Sequence, residues 1–247
     1  MRVVVAGAGG LLGSRTVARL RDHGVEVVPL PDCDRPGAVT DRDLAGTLRG
    51  ADIVVDVTDT PSPAEPVSLQ YFRTATARLL AAAEAAGAEH HVVLSFMGAE
   101  RLLSGYFRAK LLLEEQVRRS PVPHSIVRAA LSFECVEAMA VAGADQDGEV
   151  RVAPALVRPV SADDIAAAVA RVAVGVPLFG TLEVAGPHEF ALDELTADLL
   201  TATGDARNVV TDEHAWFFGA ELQRRSLLPG ADAHVGRTTF REWLTQR

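Results

Sequence analysis

Four glycines fall within seven residues, Gly7-Ala8-Gly9-Gly10-Leu11-Leu12-Gly13, directly after an apolar run at residues 2–6 and directly before an apolar-periodic stretch at 11–22. A short β-branched run reads as a buried strand, and apolar positions at helical spacing read as a helix. A glycine-rich turn between the two brings backbone N–H groups and a helix N-terminus to one point, the arrangement that cradles a phosphate. The spacing fits G-x-x-G-x-x-G through Gly7, Gly10 and Gly13. It does not fit G-x-G-x-x-G, because position 12 is leucine. Gly7 permits the tight turn, Gly10 lets a pyrophosphate approach the backbone, and Gly13 lets the helix pack closely on the sheet. A glycine turn without a ligand is the other reading, and the position straight after an N-terminal strand argues for the dinucleotide.

The rest of the chain continues the same alternation. Predicted strands at 25–30, 52–57, 91–96 and 124–128 are separated by predicted helices at 43–49, 68–86 and 105–119. Such a pattern predicts an α/β fold, a Rossmann-type doubly wound parallel sheet with helices on both faces. Ligands of such sheets bind beyond the carboxyl ends of the strands. After Arg128 the pattern loosens. A helix is expected at 133–141 and short strands at 149–152 and 157–160. Ser161, with Asp164 three residues on, reads as an N-cap before a helix running to Val172. A strand at 182–184, a helix at 192–202 and two more helical pieces between 215 and 244 complete the reading. The expected organisation is one domain over 1–247. Its Rossmann core spans about 1–130, and a smaller substrate-side lobe is built mainly from 131–160 and 181–247. The alanine-rich helix at 68–86 packs either on its own sheet or on a partner, so oligomeric state is left open.

Composition narrows the partners. The net charge of −9 argues against nucleic acid and anionic membranes, which reward a basic surface. No apolar run approaches the ~18 residues of a membrane span. The apolar run at 3–6 is too short for a signal-peptide core. Cys33 and Cys135 lie far apart, form no metal-spaced pair and read as free thiols of a reducing compartment. A cytoplasmic protein acting on a small molecule is expected.

Lys110 is the only lysine among 24 basic residues, and it lies four after Tyr106, one of two tyrosines. On a helix those positions share a face. An ammonium beside a phenol stabilises the phenolate and lowers its pKa from ~10. Arginine would be a poorer choice where a compact point charge must fit beside a cofactor. An ordinary surface lysine is the other reading of this segment, and the upstream glycine turn favours the paired one. Asp32 stands 19 residues after Gly13, where the acid that reads the adenosine ribose is expected. A carboxylate there accepts both ribose hydroxyls and repels a 2′-phosphate, which leans the reading from NADP toward NAD. Arg35 would instead meet a 2′-phosphate, and Asp32 and Asp34 also read as solvated loop acids.

Strand, G-x-x-G-x-x-G and then Tyr-Phe-Arg-Ala-Lys on a later helix together resemble the short-chain dehydrogenase/reductase family, and more closely its atypical NmrA-like branch. The resemblance covers essentially the whole chain. It is carried further by Gly-Tyr-Phe-Arg-Ala-Lys-Leu (105–111), His-His-Val-Val-Leu-Ser (90–95), Val-Arg-Ala (127–129), Ser-Ala-Asp-Asp (161–164) and Glu-Val-Ala-Gly-Pro (183–187). It implies NAD or NADP as cofactor. Gly7, Gly10 and Gly13 would hold the pyrophosphate, with Gly9, Leu11 and Leu12 lining it. Val57 and Thr58 would pass under the adenine and ribose. Tyr106 would be proton donor and acceptor, and Lys110 would hold the nicotinamide ribose and depress the Tyr106 pKa. The loop after Arg128 would flank the nicotinamide. The implied activity is hydride transfer between nicotinamide and the carbonyl or alcohol carbon of a small apolar substrate. The branch also contains dinucleotide sensors without turnover, and related enzymes act as epimerases or lyases.

One departure concerns the hydroxyl that orients a substrate carbonyl at the end of the strand before the tyrosine helix. Ser95 is the candidate, but Phe96 and Met97 follow it, and the family position falls on Ser95 or on one of these two. His90 and His91 read as structural or solvated. His188, His214 and His234 are scattered without metal-ligand spacing, so no metal is expected. Trp216, Phe217 and Phe218 read as core, with an apolar or aromatic substrate implied if they line the site. Asp163 and Asp164 read as helix caps, and Asp56 and Asp59 take no role.

Overall fold

The computed structural model describes residues 1–30, 40–142 and 148–246. The chain opens with β1 (Arg2–Ala6), α1 (Leu11–Asp22) and β2 (Glu26–Leu30). It continues through α2 (Asp41–Leu48), β3 (Ile53–Asp56), α3 (Glu65–Ala86) and β4 (His90–Phe96). A 3-10 turn at Ala99–Arg101 leads into α4 (Gly105–Arg119) and β5 (His124–Ala129). The second half contains α5 (Phe133–Ala142), β6 (Glu149–Val152), β7 (Leu156–Val157), α6 (Ala162–Ala173) and β8 (Thr181–Ala185). It ends with β9 (Phe190–Ala191), α7 (Leu192–Thr203), β10 (Asn208–Thr211), β11 (Trp216–Phe217), β12 (Ala220–Glu221), β13 (His234–Val235) and α8 (Phe240–Thr245).

Seven strands form one parallel sheet in the order β13-β8-β5-β4-β3-β1-β2. The α/β doubly wound expectation therefore holds. From β1 the chain moves one way to β2 and the other way to β3, so the order reverses at β1. Ligands of open α/β sheets sit at such a switch point. Strand alternation builds both faces. Val3, Val5, Val55, Val92 and Leu94 point to the side covered by α1 and α6. Val4, Ala6 and Val54 meet α2 and α3 on the other side, where Val93 and Ile126 meet α3 and α4. The alanine-rich α3 buries Phe72, Leu79, Leu80 and Ala83 within this chain. A further core of Leu131, Phe133, Val157, Leu195, Phe217, Leu227 and Trp243 joins the second half to Tyr106 and Phe107 of α4.

The local signals fare unevenly. Ser161 Oγ accepts from the Asp164 N–H at 3.0 Å, so the N-cap of α6 is as expected. The acids themselves work differently. Asp163 pairs with Arg15 and Arg19 of α1, and Asp164 accepts the Thr238 N–H. The strand expected at 157–160 is only Leu156–Val157, because Pro159 has no N–H to give a ladder. The two helical pieces expected between 215 and 244 reduce to one, α8; the remainder is the β11–β12 hairpin and β13, which joins the main sheet.

His90 and His91 are both buried rather than solvated. His90 lies 2.8 Å from Ser125 Oγ and 3.3 Å from the Ala173 carbonyl. His91 has no hydrogen-bond partner among the described residues, and burial, then the charges of His90 and His124, push it down to about 3. Below the ordinary value of 6.5 the unfolded chain binds a proton that the folded chain refuses, so stability falls as pH drops from 6.5 toward 3. Between pH 7 and pH 5 the wild type is expected to lose about 2 kcal/mol that His91→Leu keeps. Urea melts of both proteins at the two pH values check this, and equal losses would contradict it.

Candidate functional site

The glycine turn lies at the switch point. Gly7 has φ +78°, a left-handed conformation that suits glycine. A Cβ on Gly7 would also stand 2.9 Å from the backbone of Val57 and Thr58, so the turn and the end of β3 touch. A Cβ on Gly13 would stand 1.8 Å from the Gly7 carbonyl oxygen, so the first turn of α1 packs directly against the glycine turn rather than, as expected, against the sheet. Gly10 is different. A Cβ there would meet only that oxygen, at 3.6 Å, so packing does not require glycine at this position. Gly10 is also the N-cap of α1, and no side chain caps it and no acid occupies the first turn. The free N–H groups and positive helix end suit an anion.

A cleft of about 430 Å³ opens from this turn. Its walls include Gly7, Gly10, Leu11, Leu12 and Gly13, then Val57, Thr58 and Asp59, then Ser132, Glu134 and Cys135 after β5. Gly9 is in the turn but exposed. Asp32 and Arg35 lie outside the described residues. At the β3 end, Asp56 is buried and accepts from the Thr58 N–H at 3.0 Å and hydroxyl at 2.7 Å. Burial pushes the Asp56 carboxyl up, against the Thr58 hydrogen bonds and the Lys110 charge. This Asx-type turn shapes the backbone at Val57–Asp59.

Tyr106 and Lys110 lie on one face of α4, both buried, as their spacing predicts. They converge on Asp59. The Tyr106 hydroxyl donates to its carboxylate at 3.1 Å, and Lys110 Nζ is 3.0 Å from Oδ1. Nζ also lies 4.6 Å from the Phe72 ring centroid, a cation–π contact. Asp59, read as having no role, is thus the group that ties the pair together. It also alters the electrostatics. Burial pushes the Tyr106 phenol well above its usual value, and the Asp59 charge and hydrogen bond push it further. The lowering expected from Lys110 is not found: burial first, and then Asp59, set the direction. Removing that charge in Asp59→Asn is expected to lower the Tyr106 pKa. A phenolate absorbance titration in a Tyr71→Phe background reads the single remaining tyrosine, and an unchanged or higher value would refute the coupling.

Among the described residues no hydrogen bond joins Ser95 to Tyr106, whose hydroxyl bonds Asp59 instead. Ser95 is buried beside Glu114, two turns further along α4, and out of hydrogen-bonding geometry with it. Glu114 is itself fully buried, gripped by Arg128 through Nε and Nη2, each at 2.8 Å, and by Arg118 at 2.8 Å. Burial is the largest single influence and pushes that carboxyl up, but the partners around it, Arg128 first among them, together outweigh burial and hold it below the usual range. Met97 is buried in the core, and Phe96 faces an aromatic cluster with Phe107, Phe217 and Phe218. Across the cleft, burial and then the Asp59 and Glu134 charges push the Cys135 thiol up to about 11. A thiol of that pKa is no nucleophile at neutral pH. Among the described residues, no three histidine, cysteine or acidic side chains gather as a metal site. No helix there is long and apolar enough to cross a membrane.

The aromatic segment expected in the core divides three ways. Phe217 is buried, Trp216 is 71% exposed, and Phe218 stacks on Tyr106 with ring centroids 4.9 Å apart and planes 20° off parallel. Asp59 and Phe218 are the partners of Tyr106 that sequence reasoning missed. An acid two residues past a strand end, and an aromatic-glycine pair at a hairpin tip, were the available signals.

Switch-point turn, cleft and the Tyr106–Lys110 helix define an NAD(P)-binding Rossmann protein. Over residues 35–174 the sequence matches the family described as NAD(P)H-binding, and the chain belongs to that family. That match includes Thr58, Tyr106 and Lys110 and begins after the glycine turn. No curated protein matches the chain. Among solved structures it is similar to an NADPH-dependent quinone oxidoreductase from Escherichia coli, at 18% identity over 99% of this chain and 98% of the other, TM-score 0.71. It is similar to DesIV, a dTDP-glucose 4,6-dehydratase from Streptomyces venezuelae with NAD bound, at 19% identity over 100% and 95%, TM-score 0.76. A third is the Citrobacter triphenylmethane reductase complexed with NADP(H), at 19% identity over 86% and 79%, TM-score 0.63. At these identities the likeness is one of fold. The cofactor is NAD or NADP, as the glycine turn led us to expect.

Proposed function

We propose that the chain is an NAD(P)-dependent oxidoreductase acting on the carbonyl or alcohol group of a small apolar substrate, with Tyr106 moving the proton. One observation carries the reading: a buried phenol and a buried ammonium converge within 3.1 and 3.0 Å on one carboxylate that lines the glycine-turn cleft. Bound dinucleotide supplies or accepts the hydride. Gly7, Gly10 and Gly13 would hold its pyrophosphate, Val57 and Thr58 its adenosine side, and Lys110 the nicotinamide ribose. In the reducing direction the Tyr106 hydroxyl gives its proton to the forming alkoxide. Lys110 offsets the negative charge left on the phenol. Asp59, whose side chain is 58% exposed, links that hydroxyl to water, from which the proton is restored. Cytoplasmic action on a small molecule remains part of this proposal.

A second reading is a dinucleotide-binding sensor without turnover. The observation favouring it is that Ser95 makes no hydrogen bond to Tyr106 among the described residues. An epimerase or lyase using the dinucleotide transiently would need the same Tyr106. Titration with NADH and NADPH, followed by a carbonyl panel scored for cofactor oxidation, separates these readings. Net oxidation supports the oxidoreductase, and tight binding without oxidation of any member counts against it in favour of the sensor or the transient-cofactor enzyme. Tighter NADH binding supports the role proposed for Asp32, and tighter NADPH binding overturns it.

A further inference from the structure

The glycine-turn cleft carries charge of one sign. Among the described residues, its charged lining side chains are Asp59 and Glu134, and no lysine, arginine or histidine lines it. The nearby cations stand behind these acids. The Lys110 side chain is 6% exposed, with Nζ 3.0 Å from Asp59 Oδ1 and lying against the Phe72 ring. Arg15 lies 3.6 Å from Glu134 and pairs also with Asp163 of α6. Both carboxylates are held in place. Tyr106 and Lys110 fix Asp59. Glu134 accepts from Trp243 Nε1 at 3.1 Å and from the Ala162 N–H at 3.2 Å. The Cys135 thiol on the same wall reports the sign of the field, because the charges that reach it are those of Asp59 and Glu134, and both raise it.

The sheet order decides which half of a dinucleotide meets these acids. The glycine turn follows β1, Asp59 follows β3 and Glu134 follows β5, so both acids lie on the β5 side of the turn. The two halves of a dinucleotide straddle the switch point, with the adenosine toward β2 and the nicotinamide toward β5. The nicotinamide ring is neutral when reduced and carries one positive charge once a hydride has left it. Fixed negative charge beside it favours the cation.

We propose that Asp59 and Glu134 make the cleft hold the oxidised dinucleotide more tightly than the reduced one, so that bound NAD(P)H is a stronger hydride donor than free NAD(P)H. The inference rests on the placement of the nicotinamide ribose at Lys110. Unit charges several ångströms apart in a half-exposed site account for about a tenfold difference in affinity. A tenfold difference lowers the potential of the bound couple by about 30 mV. The hydride goes to the substrate carbon and the Tyr106 proton to its oxygen, so this bias and the protonated phenol both favour carbonyl reduction.

Calorimetric titration of the full chain with NAD⁺, NADH, NADP⁺ and NADPH reads the bias without turnover. The ratio of reduced to oxidised Kd within each pair cancels the phosphates and the adenosine. That ratio is expected to fall about tenfold from the wild type to Asp59→Asn. Glu134→Gln leaves Tyr106 and Lys110 untouched and is expected to lower it about threefold. A ratio within about twofold of the wild type in both variants, or a rise in either, would overturn the proposal. An unchanged ratio in an enzyme whose hydride transfer is lost in Tyr106→Phe would remove the charge bias and keep the oxidoreductase reading. A ratio that falls in both variants, without reduction of any carbonyl, would support the bias and count against the oxidoreductase.

Discussion

Tyr106→Phe is expected to lower turnover about a thousandfold while leaving dinucleotide affinity within about twofold. The substitution removes one oxygen and keeps the ring. Phe218 still has its stacking partner, and Phe107 still meets the ring edge-on at 5.2 Å. The hydroxyl's partner, Asp59, is more than half exposed and retains Lys110, so no buried group is orphaned. Stability should change by less than about 1 kcal/mol. A phenol held well above its usual pKa is protonated at neutral pH, ready to donate. Carbonyl reduction is therefore favoured near neutrality, and alcohol oxidation gains as pH rises. Steady-state kinetics and a cofactor titration on the same preparations read both effects. Turnover unaffected by the substitution would sink the mechanism.

Gly13→Ala is expected to abolish measurable dinucleotide binding and to destabilise the chain by about 3 kcal/mol. The new Cβ would stand 1.8 Å from the Gly7 carbonyl oxygen, 2.7 Å from the Gly7 carbonyl carbon and 2.8 Å from Ala8 Cα. All three are backbone atoms of the turn, so no flexible side chain can yield. Either α1 lifts from the sheet or the turn opens, and both misplace the N–H groups. Gly10→Ala separates fold from ligand. Its Cβ has ordinary contact only, so the melting temperature should stay near that of the wild type while affinity falls. A Gly13→Ala protein with wild-type affinity, or a Gly10→Ala protein with it, would show that the phosphates lie elsewhere.

Most of the sheet was legible because its signals are local and periodic. The bounds of α1 and α4 agree with the sequence reading, since glycines or turns flank an uninterrupted helical pattern. The tail after Ala215 was not legible. Its strands are two residues long, too short for any period, and the Phe218–Gly219 turn uses a residue that turn statistics disfavour. At the site, Tyr106 and Lys110 could be paired in sequence because four residues on a helix fix their geometry. Asp59 could not. It reaches them only because β3 and β4 are neighbours and α3 packs against α4, which is information about topology rather than spacing. The same limit applies to Ser95. Strand alternation points it to the α4 face, but only the depth along α4 shows that it meets Glu114 and not Tyr106.

The most direct measurement is transfer of deuterium from NAD(P)H labelled at C4 of the nicotinamide to a carbonyl substrate, with the product read by mass spectrometry. The central claim predicts one deuterium on the former carbonyl carbon, lost together with turnover in Tyr106→Phe. Tight cofactor binding with no labelled product from any member of a broad carbonyl panel would contradict it.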